Sequence, residues 1–152
     1  MHKRLMIVDD SPVMRAFVRR TIQVTGLPTS GFLEASNGEE ALLRLRAALN
    51  TAGADPIDLI LTDINMPVMD GEGFLAQLKL DPALSSIPVV VVSTDSTEQR
   101  VGALLRLGAS DYVRKPFPPE RLSEVLCRLL PDWIEPAPAW TDQPGEDLER
   151  DF

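Results

Sequence analysis

Val89 to Val92 form an unbroken β-branched run between Pro88 and Ser93. A strand that faces water on one side alternates apolar and polar residues. An unalternated run fits a strand covered on both faces, as in a parallel sheet with helices above and below it. Parallel strands need long crossovers, so this run demands helical segments between several strands.

The chain supplies them in alternation. Arg4 to Val8 reads as strand 1. Ser11-Pro12 opens helix 1, with Ser as N-cap and Pro at the first helical position. Met14, Phe17, Val18, Thr21 and Ile22 give that helix a buried face, and Gly26-Leu27-Pro28 ends it. Phe32 to Ala35 is strand 2, and Asn37-Gly38 a turn. Helix 2 is expected over Glu39 to Ala52, with Ala41, Leu42, Leu45, Ala48 and Leu49 inward. Ile57 to Leu61 is strand 3, and Pro67 to Gly71 a loop. Helix 3 carries Phe74, Leu75 and Leu78, and Asp81-Pro82 breaks it. Strand 4 is Pro88 to Val92. Helix 4 runs from about Thr97 to Leu107, with Gly102 as a weak point. Asp111 to Val113 is strand 5. Pro118-Pro119 opens helix 5, whose inner face is Leu122, Val125, Leu126 and Leu129. Five βα units imply a parallel sheet, helices on both faces and right-handed crossovers.

From Pro131 the composition changes. Residues 131–152 hold seven acids against Arg150 alone, a net of −6 out of −8 for the chain. With four prolines and no apolar period, they read as an acidic, Pro-rich tail after a domain spanning 1–130. Trp133 and Trp140 are apolar points in it, with docking on this domain or a partner as the alternative reading. Neither part offers the basic surface that nucleic-acid binding needs. The first apolar run, Leu5 to Val8, stops at Asp9-Asp10, too short for a signal-peptide core or a membrane span. Cys127 is the only cysteine, which excludes an intramolecular disulfide and fits a reducing, cytoplasmic setting.

In a parallel α/β sheet, ligands bind beyond the carboxyl ends of the strands. Strand 1 ends in Asp9-Asp10, strand 3 in Asp63 and strand 4 in Ser93-Thr94. Strand 5 is followed by Lys115-Pro116. Three converging carboxylates repel and resist ionisation unless something neutralises them. A hard divalent cation such as Mg²⁺ suits oxygen ligands and keeps positions open for water and phosphate. With Lys115 beside it, this set makes a site for an incoming phosphoryl group. Taken singly, the residues have bland readings. Asp9 and Asp10 could be solvated loop acids, Asp63 a helix cap, and Tyr112 a packing residue.

Four segments carry a resemblance: Leu5 to Ser11, Leu61 to Pro67, Val91 to Thr94, and Asp111 to Phe117. In this order and at these strand ends, residues 4–130 resemble the receiver domain of bacterial two-component response regulators, including CheY-like single-domain regulators. The resemblance implies a flavodoxin-like (βα)5 doubly wound fold with strand order 2-1-3-4-5. It implies that Asp63 is the phosphoacceptor. Asp10 and Asp63 would bind Mg²⁺ through carboxylates, Asn65 through its backbone carbonyl, and Asp9 directly or through water. Ser93 and Lys115 would contact phosphoryl oxygens, and Tyr112 would be the aromatic switch. The Lys115-Pro116 bond is expected to be cis. Thr94 stands where the family usually has Ala or Gly. With Asp95 and Asn65 nearby, this suggests slow to moderate autodephosphorylation.

The implied function is a single-domain response regulator, not an enzyme in its own right. A histidine kinase or phosphotransfer protein would donate to Asp63, and the surface of helix 4, strand 5 and helix 5 would change for a downstream protein. The chain itself would be a monomer or weak dimer. Two rivals stand beside this reading. One is a receiver-fold interaction module that does not switch. The other is a haloacid-dehalogenase-like phosphatase, whose nucleophile normally lies on the first strand with a second Asp two residues on.

Overall fold

The four valines sit at the centre of the sheet, and each neighbouring pair is divided between two cores. The computed structural model describes residues 2–94 and 97–132. The elements run β1 (Lys3–Val8), α1 (Pro12–Val24), β2 (Thr29–Ala35), α2 (Gly38–Leu49), β3 (Leu59–Thr62), α3 (Gly71–Leu80), β4 (Val89–Ser93), α4 (Glu98–Arg106), β5 (Asp111–Arg114) and α5 (Pro119–Leu129). The strands are all parallel and lie in the order β2-β1-β3-β4-β5. This is the flavodoxin-like arrangement expected from the sequence.

Val89 and Val91 join Met6, Val8 and Ile60 on one face, against Leu42 and Leu45 of α2 and Phe74, Leu75 and Leu78 of α3. Val90 and Val92 join Leu5, Ile7, Leu59 and Leu61 on the other, against Val18 and Ile22 of α1 and Leu122, Val125 and Leu126 of α5. Burial of both faces is why β4 shows no alternation.

Helix starts follow local capping. The side chains of Ser11, Asn37, Asp70 and Thr97 accept backbone N–H groups of the first turns of α1 to α4. Asn37 accepts from Glu40 N–H, so Gly38 becomes helical and α2 runs Gly38–Leu49, not Glu39 to Ala52. α4 passes through Gly102 without a break.

Other boundaries also shift. β2 begins at Thr29, three residues before the expected Phe32, because Thr29 and Gly31 already pair with Lys3 and Arg4 of β1 across a register shift. β3 begins at Leu59, not Ile57, because the Asp58 carboxylate accepts Arg4 N–H at 2.9 Å and Asp58 N–H donates to Arg4 O. Two expected core residues lie at the margins. Phe17 is 44% exposed and meets Phe117 edge-on, with ring centroids 5.8 Å apart. Leu49 is 52% exposed at the last residue of α2, where the sheet no longer covers it.

Among the described residues no helix is long and apolar enough to cross a membrane. Trp133, Trp140 and the rest of 133–152 lie outside the described residues, as does Asp95.

Candidate functional site

Register brings the strand ends together. Val8 pairs with Thr62, so Asp9 and Asp63 each stand one residue past the end of adjacent strands. Ser93 pairs with Arg114, which places Lys115 one step beyond Ser93. Neighbouring parallel strands lie about 4.8 Å apart, so side chains at these four positions are within reach of one another.

One carboxylate oxygen from each of Asp9, Asp10 and Asp63 lies within 4.8 Å of the other two. Asp9 is buried, 4% exposed, Asp63 is half-buried and Asp10 is exposed. Lys115 Nζ sits 3.1 Å from Asp9 Oδ2 and 3.6 Å from Asp63 Oδ2. One ammonium therefore faces two acids, with the third close by. A trio of oxygen ligands carrying more negative charge than its lysine neutralises suits a hard divalent cation.

The backbone fixes Asp63. Asp63 N–H donates to Val8 O at 2.9 Å, and Ile64 N–H donates to Asp63 Oδ1 at 2.7 Å. Burial pushes the Asp63 carboxyl up from its ordinary value of 3.8. The Ile64 N–H and the Lys115 charge oppose this, the Asp9 charge adds to it, and a hydrogen bond from Ser93 opposes it. Asp63 is the described carboxyl most clearly disfavoured as an anion.

Ser93 is buried at the end of β4, and its carbonyl accepts Lys115 N–H at 2.9 Å. The Tyr112 hydroxyl also donates to that carbonyl, at 3.3 Å, and the Tyr112 ring packs half-buried on the α2–α3 side core. Thr94 and Asn65 are exposed on the rim. The Lys115-Pro116 peptide is cis, as expected.

Two contributors and one backbone feature carry no sequence signal. Arg15 Nη1 donates to Asp9 O at 2.6 Å. Its position six residues past Asp9 on a helix read only for apolar spacing gave no hint. Gly71 packs on the Asp63 backbone, and in the sequence Asp70-Gly71 signals only the end of a loop. Val68 adopts φ +69°, for which a β-branched residue gives no sequence signal.

The chain matches the family described as the response regulator receiver domain over residues 5–127. It is 32% identical over 127 residues to the chemotaxis protein CheY1 of Helicobacter pylori (strain ATCC 700392 / 26695), covering 84% of this chain and 96% of that one. Among solved structures, it is similar to the cyanobacterial phytochrome response regulator RcpA (30% identity, TM-score 0.66, 91% of this chain and 98% of that one). It is also similar to the response regulator Rcp1 (26% identity, TM-score 0.68, 90% and 97%).

Proposed function

This chain belongs to the response regulator receiver domain family, and on that premise we propose that it is a phosphorylation-gated switch with Asp63 as phosphoacceptor. The observation that carries the reading is the convergence of three acids within 4.8 Å, with Lys115 Nζ facing Asp9 and Asp63. RcpA has been solved phosphorylated and Rcp1 with Mn²⁺ bound, which supports carrying both features to this chain.

In the proposed reaction an Asp63 carboxylate oxygen attacks the phosphorus of a donor phosphohistidine. A P–O bond forms, the P–N bond breaks, and the imidazole leaves with the electron pair and takes up a proton. Asp9, Asp10, Asp63 and the Asn65 backbone carbonyl would hold Mg²⁺, which would supply positive charge to offset that of the acids and the incoming group. Lys115 would leave Asp63 and pair with a phosphoryl oxygen. Ser93 offers its hydroxyl to another. Catalysis of this kind rests on positioning and charge.

Switching follows from the same contacts. Ser93 and Lys115 share a backbone hydrogen bond, and Tyr112 reaches the same carbonyl. Movement of Ser93 and Lys115 toward the new phosphate shifts the balance between two arrangements of α4, β5 and α5. A downstream protein would read that surface. The partners are a histidine kinase or phosphotransfer protein upstream and a protein target downstream. The setting is cytoplasmic, the chain a monomer or weak dimer. We assign the signalling unit to 1–130 and the acidic segment to 131–152.

Incubation with acetyl phosphate and Mg²⁺ tests the acceptor. The wild type should gain the mass of one phosphoryl group and Asp63→Ala none. Equal labelling of both would overturn the assignment. Beryllofluoride with Mg²⁺ should perturb amide resonances of α4, β5 and α5. A silent spectrum there would leave a receiver-fold module that does not switch.

A further inference from the structure

Asp9 and Asp10 are adjacent, but they are held in different ways. Asp9 is tied on every side. Its N–H donates to Ala35 O at 3.0 Å, its Oδ1 accepts Ser11 N–H at 2.9 Å, and its Oδ2 faces Lys115. Asp10 is exposed, and among the described residues no hydrogen bond or ion pair reaches its carboxylate. Where it can reach therefore depends on how its backbone is held.

That backbone is gripped by one side chain. The peptide joining Asp9 to Asp10 is a rigid plane, and the Asp9 carbonyl oxygen is one corner of it. Arg15 Nη1 donates to that oxygen at 2.6 Å from the first turn of α1. The same guanidinium donates from Nε to Glu34 Oε1 in β2 at 3.0 Å. Its side chain is only 17% exposed. Glu34 is also paired with Arg19, one turn further along α1.

We infer that Arg15 is a positioning residue for the cation site, fixing the Asp9–Asp10 peptide plane so that the Asp10 carboxylate stays within the acid cluster. This rests on reading that cluster as a cation site. Glu34 is the brace. It engages the guanidinium through Nε while Nη1 holds the Asp9 carbonyl, so that Arg15 is committed to these two acceptors. The fork geometry of guanidinium suits two acceptors in two directions, which an ammonium on a flexible stem serves poorly. Ligand-orienting partners behind a metal site commonly change its affinity by about 10–100-fold when lost.

A mere nearby charge would act with the opposite sign. Removing a cation beside a cation site strengthens binding there, whereas removing a positioning group weakens it. The direction of the change therefore separates the two roles.

The test is a Mn²⁺ titration of the full chain, with free Mn²⁺ followed by electron paramagnetic resonance. Wild type, Arg15→Gln and Arg15→Lys are compared, with melting in EDTA recorded for each. Arg15→Gln should bind about tenfold more weakly despite its lost positive charge. Arg15→Lys, which keeps the charge, should also weaken. Unchanged or tighter binding by Arg15→Gln overturns the inference. If Arg15→Gln does not fold, wild-type affinity in a folded Arg15→Lys overturns it. Asp10→Asn serves as the reference for the site itself. If the wild type binds no Mn²⁺, or Asp10→Asn binds as well as the wild type, the cation-site reading fails and this inference falls with it. A normal wild type and a weakened Asp10→Asn, with no effect at Arg15, remove this inference alone.

Discussion

Gly71 lies directly against the main chain of Asp63. A Cβ at Gly71 would stand 2.2 Å from Asp63 O and 2.9 Å from Ile64 Cα. Gly71 N–H donates to Ile64 O at 2.7 Å, so the N-terminus of α3 is seated on the backbone of Asp63 and Ile64. These neighbours are main-chain atoms and cannot swing aside. Gly71→Ala should therefore cost about 2–3 kcal/mol, read from urea unfolding. The surviving folded fraction should accept phosphate more slowly than wild type, because Asp63 is displaced.

Asp63 should be a net burden on the fold at neutral pH. Its folded-state pKa is raised above 3.8, with desolvation as the main cause. The native state therefore binds this proton more tightly than the unfolded chain does. Stability falls as pH rises through the folded-state value, and the penalty is absent below about 3.8. Asp63→Asn should melt a few degrees higher than wild type at pH 7 in EDTA. The gap should close as pH falls toward 4. Calorimetry at both pH values checks the sign.

Val68 is the described non-glycine residue at positive φ, +69°. Met69 N–H donates to Pro67 O at 2.8 Å, closing a three-residue turn around it. The Val68 side chain is 76% exposed, so packing does not offset the strain. A β-branched residue in this region costs about 1–2 kcal/mol. Part of the gain on replacement is lost to the extra freedom of glycine in the unfolded chain. Val68→Gly should stabilise the protein by about 1 kcal/mol, seen as a higher urea midpoint with an unchanged slope.

The sequence was most legible where a residue type and its period agree. The valine run of β4 announced a doubly covered strand, and Phe74, Leu75 and Leu78 announced the inner face of α3. The acids were legible because each closes an apolar run, and parallel register then brings the ends together without further information. Boundaries set by side chains were not legible. Asp58 bonds the Arg4 backbone across β1 and β3, which no local pattern encodes, and β3 starts late as a result. The hold of Arg15 on Asp9 and the seating of Gly71 on Asp63 were equally hidden. Both are contacts between a residue and a backbone atom elsewhere in the fold.

Thr94 follows the buried Ser93 and stands exposed at the mouth of the site. A β-branched side chain there narrows the approach of a hydrolytic water to a phosphoryl group on Asp63. The phospho-form should last minutes, and Thr94→Ala should shorten that lifetime several-fold. Intact mass followed after removal of the phosphodonor measures both. A lifetime of seconds in the wild type would contradict this.

Lys115 pairs with the Asp9 carboxylate at 3.1 Å, and the side chains are 11% and 5% exposed. Removing one partner of a buried pair leaves the other charge uncompensated, at a cost of about 3–5 kcal/mol. Asp9 keeps its bond from Ser11 N–H, so the lower end applies to Lys115→Met. The same change makes the acid cluster more negative, which favours a divalent cation. Mg²⁺ at a hundredfold excess over its dissociation constant contributes about 2.7 kcal/mol, close to the loss. Lys115→Met should therefore melt well below wild type in EDTA and regain most of the difference in Mg²⁺. The wild type should gain less from Mg²⁺, because its lysine already does part of the neutralising. Parallel melts of the two proteins, with and without the ion, give the comparison. Equal gains from Mg²⁺ would mean that Lys115 does not share the charge of Asp9 and Asp63.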